Sequence, residues 1–206
     1  MDLHSSNEHA LINLLPFDGV VNYYGKLMDE QTANSYFSKI LSEVPWERDR
    51  FIFYGKEIIT NRKLAWFGDQ PFAYAYSHIV RKALIWNPIL LKLKSQVEEI
   101  SGETYNSCLL NLYHSGDEGM GWHADDEKEL KPNGAIASIS FGAERKFAFK
   151  HKKTGEVVTI WLEQGSLLVM KGATQTHWLH RLPVTKKVKT ARINLTFRTI
   201  SVGAQS

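Results

Sequence analysis

The feature that most constrains the fold is a close succession of short strand-like segments in the C-terminal half. They are Ser107 to His114, Ala135 to Phe141, Lys146 to His151, Val157 to Leu162, Ser166 to Met170, Gln175 to Arg181 and Ala191 to Thr199. Short β-branched and aromatic runs separated by turn residues read as an antiparallel sandwich or barrel. Thr154-Gly155 is a hairpin turn between two of them. A further pair lies within Phe51 to Thr60, bending at Tyr54-Gly55-Lys56. Two segments have helical period instead. From the cap Asp29, the residues Ala33, Tyr36, Phe37, Ile40, Leu41 and Val44 share one face, and Pro45 ends the run. The second helix starts at Asn87 (cap) and Pro88 and runs through Ile89, Leu90, Leu93, Val97 and Ile100 to Gly102. The predicted fold class is therefore α+β, a β-sandwich or jelly roll with helices packed on one side.

At 206 residues and 43% hydrophobic the chain has the size and composition of one globular domain, and a single domain over 1–206 is expected. No apolar run approaches the roughly 18 residues of a membrane span. The polar, acidic start lacks the pattern of a signal peptide, and lone Cys108 excludes an internal disulfide and a cysteine zinc cage. An intracellular, non-secreted protein is the expectation, with no membrane partner.

The net charge of +3 conceals a division. Met1 to Glu144 holds 13 Lys/Arg and 20 Asp/Glu, or −7, whereas Arg145 to Ser206 holds 12 and 2, or +10. Such an asymmetry fits either an anionic partner for the C-terminal third or a solvated basic face.

Gly121-Trp122-His123-Ala124-Asp125-Asp126-Glu127 is the most informative stretch. In extended chain His123 and Asp125 share a face. One more imidazole would complete a two-His-one-carboxylate triad, which leaves positions open on Fe(II). His177 and His180 are both candidates for it, and zinc is the competing metal. In the last strand Arg192, Asn194, Thr196 and Arg198 alternate with Ile193, Leu195 and Phe197. That polar face describes an edge strand open to solvent, or a cradle for a small dicarboxylate that arginine forks would grip. Asn111 and Tyr113 are likewise two apart on a predicted strand.

Through these residues the sequence resembles the AlkB family of Fe(II)/2-oxoglutarate-dependent dioxygenases, and within it most of all a double-strand-preferring DNA repair homologue. The likeness runs from about Arg48 to Thr199 and is densest in Asn111-Leu112-Tyr113, His123 to Glu127, Ile136 to Gly142, Gly165 to Leu168, His177 to His180 and Arg192 to Arg198. The resemblance implies Fe(II) on His123, Asp125 and His180, with 2-oxoglutarate and O₂ as cosubstrates and His177 turned away. It implies further that Arg198 pairs with the distal carboxylate of 2-oxoglutarate, that Arg192 lies near its metal-chelating end, and that Asn111, Tyr113, Asn194 and Thr196 complete the pocket. A double-stranded β-helix (jelly-roll) core over 107–200, a nucleotide-recognition region over 46–106 and an N-terminal extension with the first helix over 1–45 follow from it.

The implied substrate is DNA carrying 1-methyladenine or 3-methylcytosine, flipped out of the stack because chemistry on a base edge requires it. Base contacts would come from Tyr74, Ala75 and Tyr76, whose aromatic faces also suit a cationic base, and from Asp126 and Glu127. Tyr54, Gly55 and Lys56 match a hairpin that probes the duplex, with Tyr54 as a wedge, and Arg62 lines the same groove. Arg145 to Lys153 and Lys186 to Lys189 are candidate phosphate contacts. The alternatives are the same chemistry on RNA or protein, and a non-catalytic lesion binder. A monomer is the default, nuclear in a eukaryotic host and cytoplasmic in a prokaryotic one.

Overall fold

A computed structural model describes residues 12–53, 56–76 and 79–201. In chain order the elements are β1 (Val20–Lys26), α1 (Glu30–Glu43), β2 (Glu47–Phe53), β3 (Lys56–Gly68), β4 (Ala73–Tyr76), β5 (Ile79–Lys82), β6 (Leu84–Ile85) and α2 (Pro88–Ser101). They continue as β7 (Ser107–Tyr113), β8 (Met120–His123), β9 (Ile136–Gly142), β10 (Arg145–His151), β11 (Val157–Leu162), β12 (Ser166–Lys171), α3 (Thr174–His177), β13 (Trp178–Leu182) and β14 (Arg192–Arg198).

The two long helices, α1 and α2, form where capping chemistry starts them. The Asp29 carboxylate accepts from the Thr32 N–H at 2.7 Å, and Asn87 Oδ1 from the Leu90 N–H at 2.9 Å. Each bond satisfies one of the N–H groups that a helix leaves without a partner at its start. Gly102 ends α2 in the left-handed region at φ 67°, where a Cβ would be strained.

The strands make an eight-stranded sheet in the order β1-β12-β9-β14-β7-β3-β2, with β6 joined to β3, a four-stranded sheet β11-β10-β13-β8, and the hairpin β4-β5. The period-2 alternation decides what each face of the large sheet meets. Cys108, Leu110, Leu112, Ala137, Ile139, Phe141, Leu167, Val169, Ile193, Leu195 and Phe197 point one way, onto Ala33, Ile40, Leu90, Leu93 and Val97 of the helices. A second cluster lies between the sheets: Leu168, Met170 and Ile136 of the large one against Phe149, Leu162 and Trp178 of the small one. The result is the expected jelly roll, with α1 and α2 on one side.

β14 is a central strand, bonded to β7 and β9 on either side, so its polar face looks into the molecule, as the cradle reading of that face requires. Three details differ from expectation. The segment from Gln175 is helical at first: the Thr176 and His177 N–H groups both bond the Ala173 carbonyl, and only from Trp178 is the chain extended. The buried Thr174 hydroxyl, bonded to Lys171 O at 2.6 Å and Val20 O at 3.1 Å, holds that turn closed. β3 runs on to Gly68, since Leu64 and Trp66 face the cavity described below while Ala65 and Phe67 face the core. β1 had no counterpart among the predicted strands; it pairs with β12 around a bulge at Tyr23/Gly25.

Candidate active site

Adjacent strands of the small sheet carry the triad. β8 and β13 are antiparallel, and their register sets His123 opposite His180, with ring centroids 4.2 Å apart. Asp125 follows β8 in extended chain and returns to the same point. Its Oδ1 lies 3.7 Å from His123 Nε2 and 3.9 Å from His180 Nε2. The Asp125 N–H donates to Gln175 Oε1 at 2.9 Å, which ties the ligand loop to α3. The donor set is in the state that iron needs. His123 Nδ1 lies 2.8 Å from the Gly121 carbonyl, which can only accept, so the proton sits on Nδ1 and Nε2 presents its lone pair. Burial, outweighing the Asp125 carboxylate, lowers the His180 pKa from 6.5 to about 4, so the ring is neutral at physiological pH. Burial alone would raise Asp125, but Arg198, His180 and His123 hold it below the ordinary carboxylate value. Two imidazoles and one carboxylate are hard enough for Fe(II) and leave coordination positions open.

The triad opens on a cavity of about 540 Å³ whose floor is the polar face of the large sheet. Asn194 sits opposite Asn111 and Ser140, and Arg192 opposite Tyr113, because β14 lies in register between β7 and β9. Asn111, Tyr113, Arg192, Asn194, Thr196 and Arg198, singled out by alternation alone, all line this cavity. Arg192 is 1% exposed. Its Nη2 donates to Ser140 Oγ at 2.9 Å, its guanidinium stands 5.7 Å over the Tyr113 ring, and its Nε has no hydrogen-bond partner among the described residues. Burial, with the Arg145 charge adding to it against Tyr113, lowers its pKa to about 10, so it remains a cation. A buried cation with an orphaned donor, facing a cavity, fits a carboxylate-bearing small molecule.

The two arginines stand at the reverse of the expected ends. Arg198 Nη2 lies 3.2 Å from Asp125 Oδ2, and Nη1 lies 3.5 Å from Glu127 Oε1, so Arg198 is at the metal ligands. The cause is topological. The Lys131 N–H bonds Thr199 O, and Leu130 bridges Ile200, which fastens the ligand loop to the C-terminal end of β14. Arg192, at the other end of the strand, is the one removed from the triad.

Among the expected substrate contacts, Arg62 lines the cavity, with Nη1 3.3 Å from Met120 Sδ. Asp126 is exposed at its rim, and Glu127 is turned onto Arg198. Desolvation raises the Glu127 pKa despite Arg198. Lys56 opens β3 and Tyr74, Ala75 and Tyr76 belong to β4, but their side chains lie outside the described residues, as do Tyr54 and Gly55 entirely. His177 is apart from the triad, its ring 6.3 Å from that of His151. Residues not anticipated are Ser138 and Ser140, which bond Asn194 and Arg192, and Gln175. The serines alternate with Ala137, Ile139 and Phe141 on β9, so their pattern was available in the sequence.

A model of the 2OG-Fe(II) oxygenase superfamily matches residues 20–198, which include the triad and both arginines. The DNA oxidative demethylase ALKBH2 of Mus musculus is 38% identical over 194 residues, 89% of this chain and 81% of that protein. The chain belongs to the AlkB family of 2OG-Fe(II) oxygenases. Members of this superfamily use Fe(II), 2-oxoglutarate and O₂, and the His123-Asp125-His180 triad of this oxygenase is its iron site. It is also 38% identical to ALKBH2 of Homo sapiens, over 89% of this chain and 74% of the other. Against the alpha-ketoglutarate-dependent dioxygenase alkB homolog 3 of Bos taurus the identity is 40%, over 84% and 63%. The solved structure of OsALKBH1 shares the fold at a TM-score of 0.62 and 15% identity, covering 90% of this chain and 99% of that one.

Proposed function

We propose that this AlkB-family oxygenase repairs alkylated DNA, demethylating 1-methyladenine and 3-methylcytosine with release of formaldehyde. The observation that carries the reading is a complete triad opening onto a cavity with a buried arginine, in a chain 38% identical to a protein named DNA oxidative demethylase. When bound, iron and 2-oxoglutarate supply the oxidation of the N-methyl group by O₂. The chain holds and orients the reactants. His123, Asp125 and His180 hold the metal, and Arg192 grips the distal carboxylate of 2-oxoglutarate. Asn111, Tyr113, Asn194 and Thr196 shape the pocket between them. Arg198 keeps Asp125 ionised and aimed. Residues 46–106 receive the nucleotide, with Tyr74, Ala75 and Tyr76 against the flipped base, Arg62, Asp126 and Glu127 at its edge, and Tyr54, Gly55 and Lys56 at the duplex. Lysines of the β10–β11 hairpin and Lys186, Lys187 and Lys189 hold phosphates. The protein acts as a monomer, in the nucleus of a eukaryote or the cytoplasm of a prokaryote.

One assay tests this: formaldehyde release from methylated single-stranded DNA, duplex DNA and RNA, with and without 2-oxoglutarate. Turnover on DNA that requires 2-oxoglutarate is expected. Absence of turnover on any strand by iron-loaded protein would sink the demethylase reading, and turnover on RNA alone would move the substrate to RNA. His123→Ala is expected to abolish turnover while DNA affinity persists.

A further inference from the structure

Outside the active site, a second group of metal-ligating side chains converges. Asp18, His151 and His177 offer ligand atoms that all lie within 4.8 Å of one another, as do those of the iron triad. They come from three separate parts of the chain: the loop before β1, the last residue of β10 and the last residue of α3. His151 Nε2 is 3.4 Å from Asp18 Oδ2, and the His177 ring stacks beside that of His151.

The site is built rather than a chance meeting of surface groups. His151 is 3% exposed, and its Nε2 has no hydrogen-bond partner among the described residues. Its other nitrogen is provided for in either tautomer. Nδ1 meets the Thr154 hydroxyl at 3.0 Å and the Thr154 N–H at 3.1 Å, so an acceptor and a donor both face it. Without an ion, the Thr154 N–H makes Nδ1 an acceptor and the ring proton sits on Nε2 toward Asp18. An ion at Nε2 displaces that proton to Nδ1, where the Thr154 hydroxyl can accept it, and Nε2 then offers its lone pair as metal-ligating histidines do. Asp18 is held in the left-handed region at φ 53°, which costs free energy for a residue with a Cβ. What keeps it there is Phe17, whose carbonyl accepts from Trp178 Nε1 at 3.0 Å and whose ring meets His151 edge-on at 4.9 Å.

We propose that Asp18, His151 and His177 form a second metal site, taking a divalent late transition ion of which Zn²⁺ is the fitting example. Two imidazoles and a carboxylate suit zinc, whereas Mg²⁺ and Ca²⁺ prefer all-oxygen shells. Asp18 is exposed, so the site is reachable from solvent and leaves a position for water. The ion cross-links the segment before β1 to the small sheet, three residues ahead of the iron ligand His180. Its work is to stiffen that junction, and the iron chemistry proceeds on the other triad.

The test is zinc stoichiometry of the metal-stripped full chain, by equilibrium dialysis with elemental analysis. Two Zn²⁺ per chain are expected for the wild type and one after Asp18→Asn or His177→Gln. One is also expected after the double change His123→Ala, Asp125→Ala, and none when Asp18→Asn is added to it. In the double-change background, zinc about a hundredfold above its Kd should raise Tm by roughly 5–10 °C, and Asp18→Asn should remove the rise. Because His151 is buried, its removal could unfold the chain; exposed Asp18 avoids that, and an unchanged zinc-free Tm verifies it. A wild-type stoichiometry of one overturns the proposal. So does a second zinc that survives both Asp18→Asn and His177→Gln.

Discussion

Arg192 and Arg198 are separated by about 20 Å of extended chain and serve opposite ends of the cavity. Arg198 touches Asp125, so its loss leaves a metal-ligating carboxylate without its cation. Arg198→Ala is expected to weaken metal retention by 10- to 100-fold, the usual effect of removing an outer partner of a ligand, measurable by titration of the metal-stripped protein. Arg192→Ala should instead raise the KM for 2-oxoglutarate by roughly 10²-fold, because a carboxylate would enter a buried site that has lost its partner. Equal effects of the two changes on metal affinity would refute the division. His180 carries a pH dependence of definite sign. Its folded pKa is about 4 against 6.5, so between these values the unfolded chain binds a proton that the folded chain does not. Stability of the metal-stripped protein should therefore be complete above about pH 6.5 and fall as pH drops toward 4. Urea midpoints across that window should show the slope, reduced in His180→Gln.

Elements differ in how much their ends matter. The Asp29 cap is an exposed, local device on α1, and Asp29→Ala should lower the urea midpoint while leaving the slope of the transition unchanged. Gly142, closing β9, is a position of another kind. It has φ 81°, and a Cβ there would stand 2.4 Å from the Ala191 carbonyl oxygen and 2.7 Å from Phe37. Gly142→Ala should cost roughly 2–4 kcal/mol, combining left-handed strain with overpacking. Since that turn adjoins Arg192, the KM for 2-oxoglutarate should rise with it. Strands β7, β9, β12 and β14 of the large sheet were legible from their alternation because each has one face on the helices and one on the cavity or the second sheet. The start of β13 was not: Gln175 to His177 have strand-like neighbours, yet the buried Thr174 hydroxyl and the carbonyl of Ala173 close a helical turn. Such an override comes from tertiary contacts that no local window contains.

For the whole molecule, the charge division acquires an address. Of the basic third, Arg145 and Arg192 are 1% exposed and Arg198 faces the metal ligands, so none of the three is surface charge. Arg145 donates to the carbonyls of Ser115, Gly116, Glu118 and Pro183, joining the loop after β7 to the one that carries Lys186, Lys187 and Lys189. Those lysines are exposed. Replacing them with Gln should lower the slope of log affinity against log salt by about 1 for each duplex phosphate left without its lysine, read by fluorescence anisotropy at several salt concentrations. The KM for 2-oxoglutarate should not change. Among the described residues no helix is long and apolar enough to cross a membrane.

What the sequence determined by itself was the set of partners: which residues share a strand face, where helices start, and, through family resemblance, which histidines and aspartate bind iron. Periodicity and capping are local, so they can be read along the chain. The tertiary structure alone decided which end of β14 meets the metal and that the strand lies in the centre of the sheet, between β7 and β9. It also brought Asp18, His151 and His177 together. Each of these depends on strand order and on contacts between residues far apart in sequence, and alternation carries no information about which strand will lie alongside.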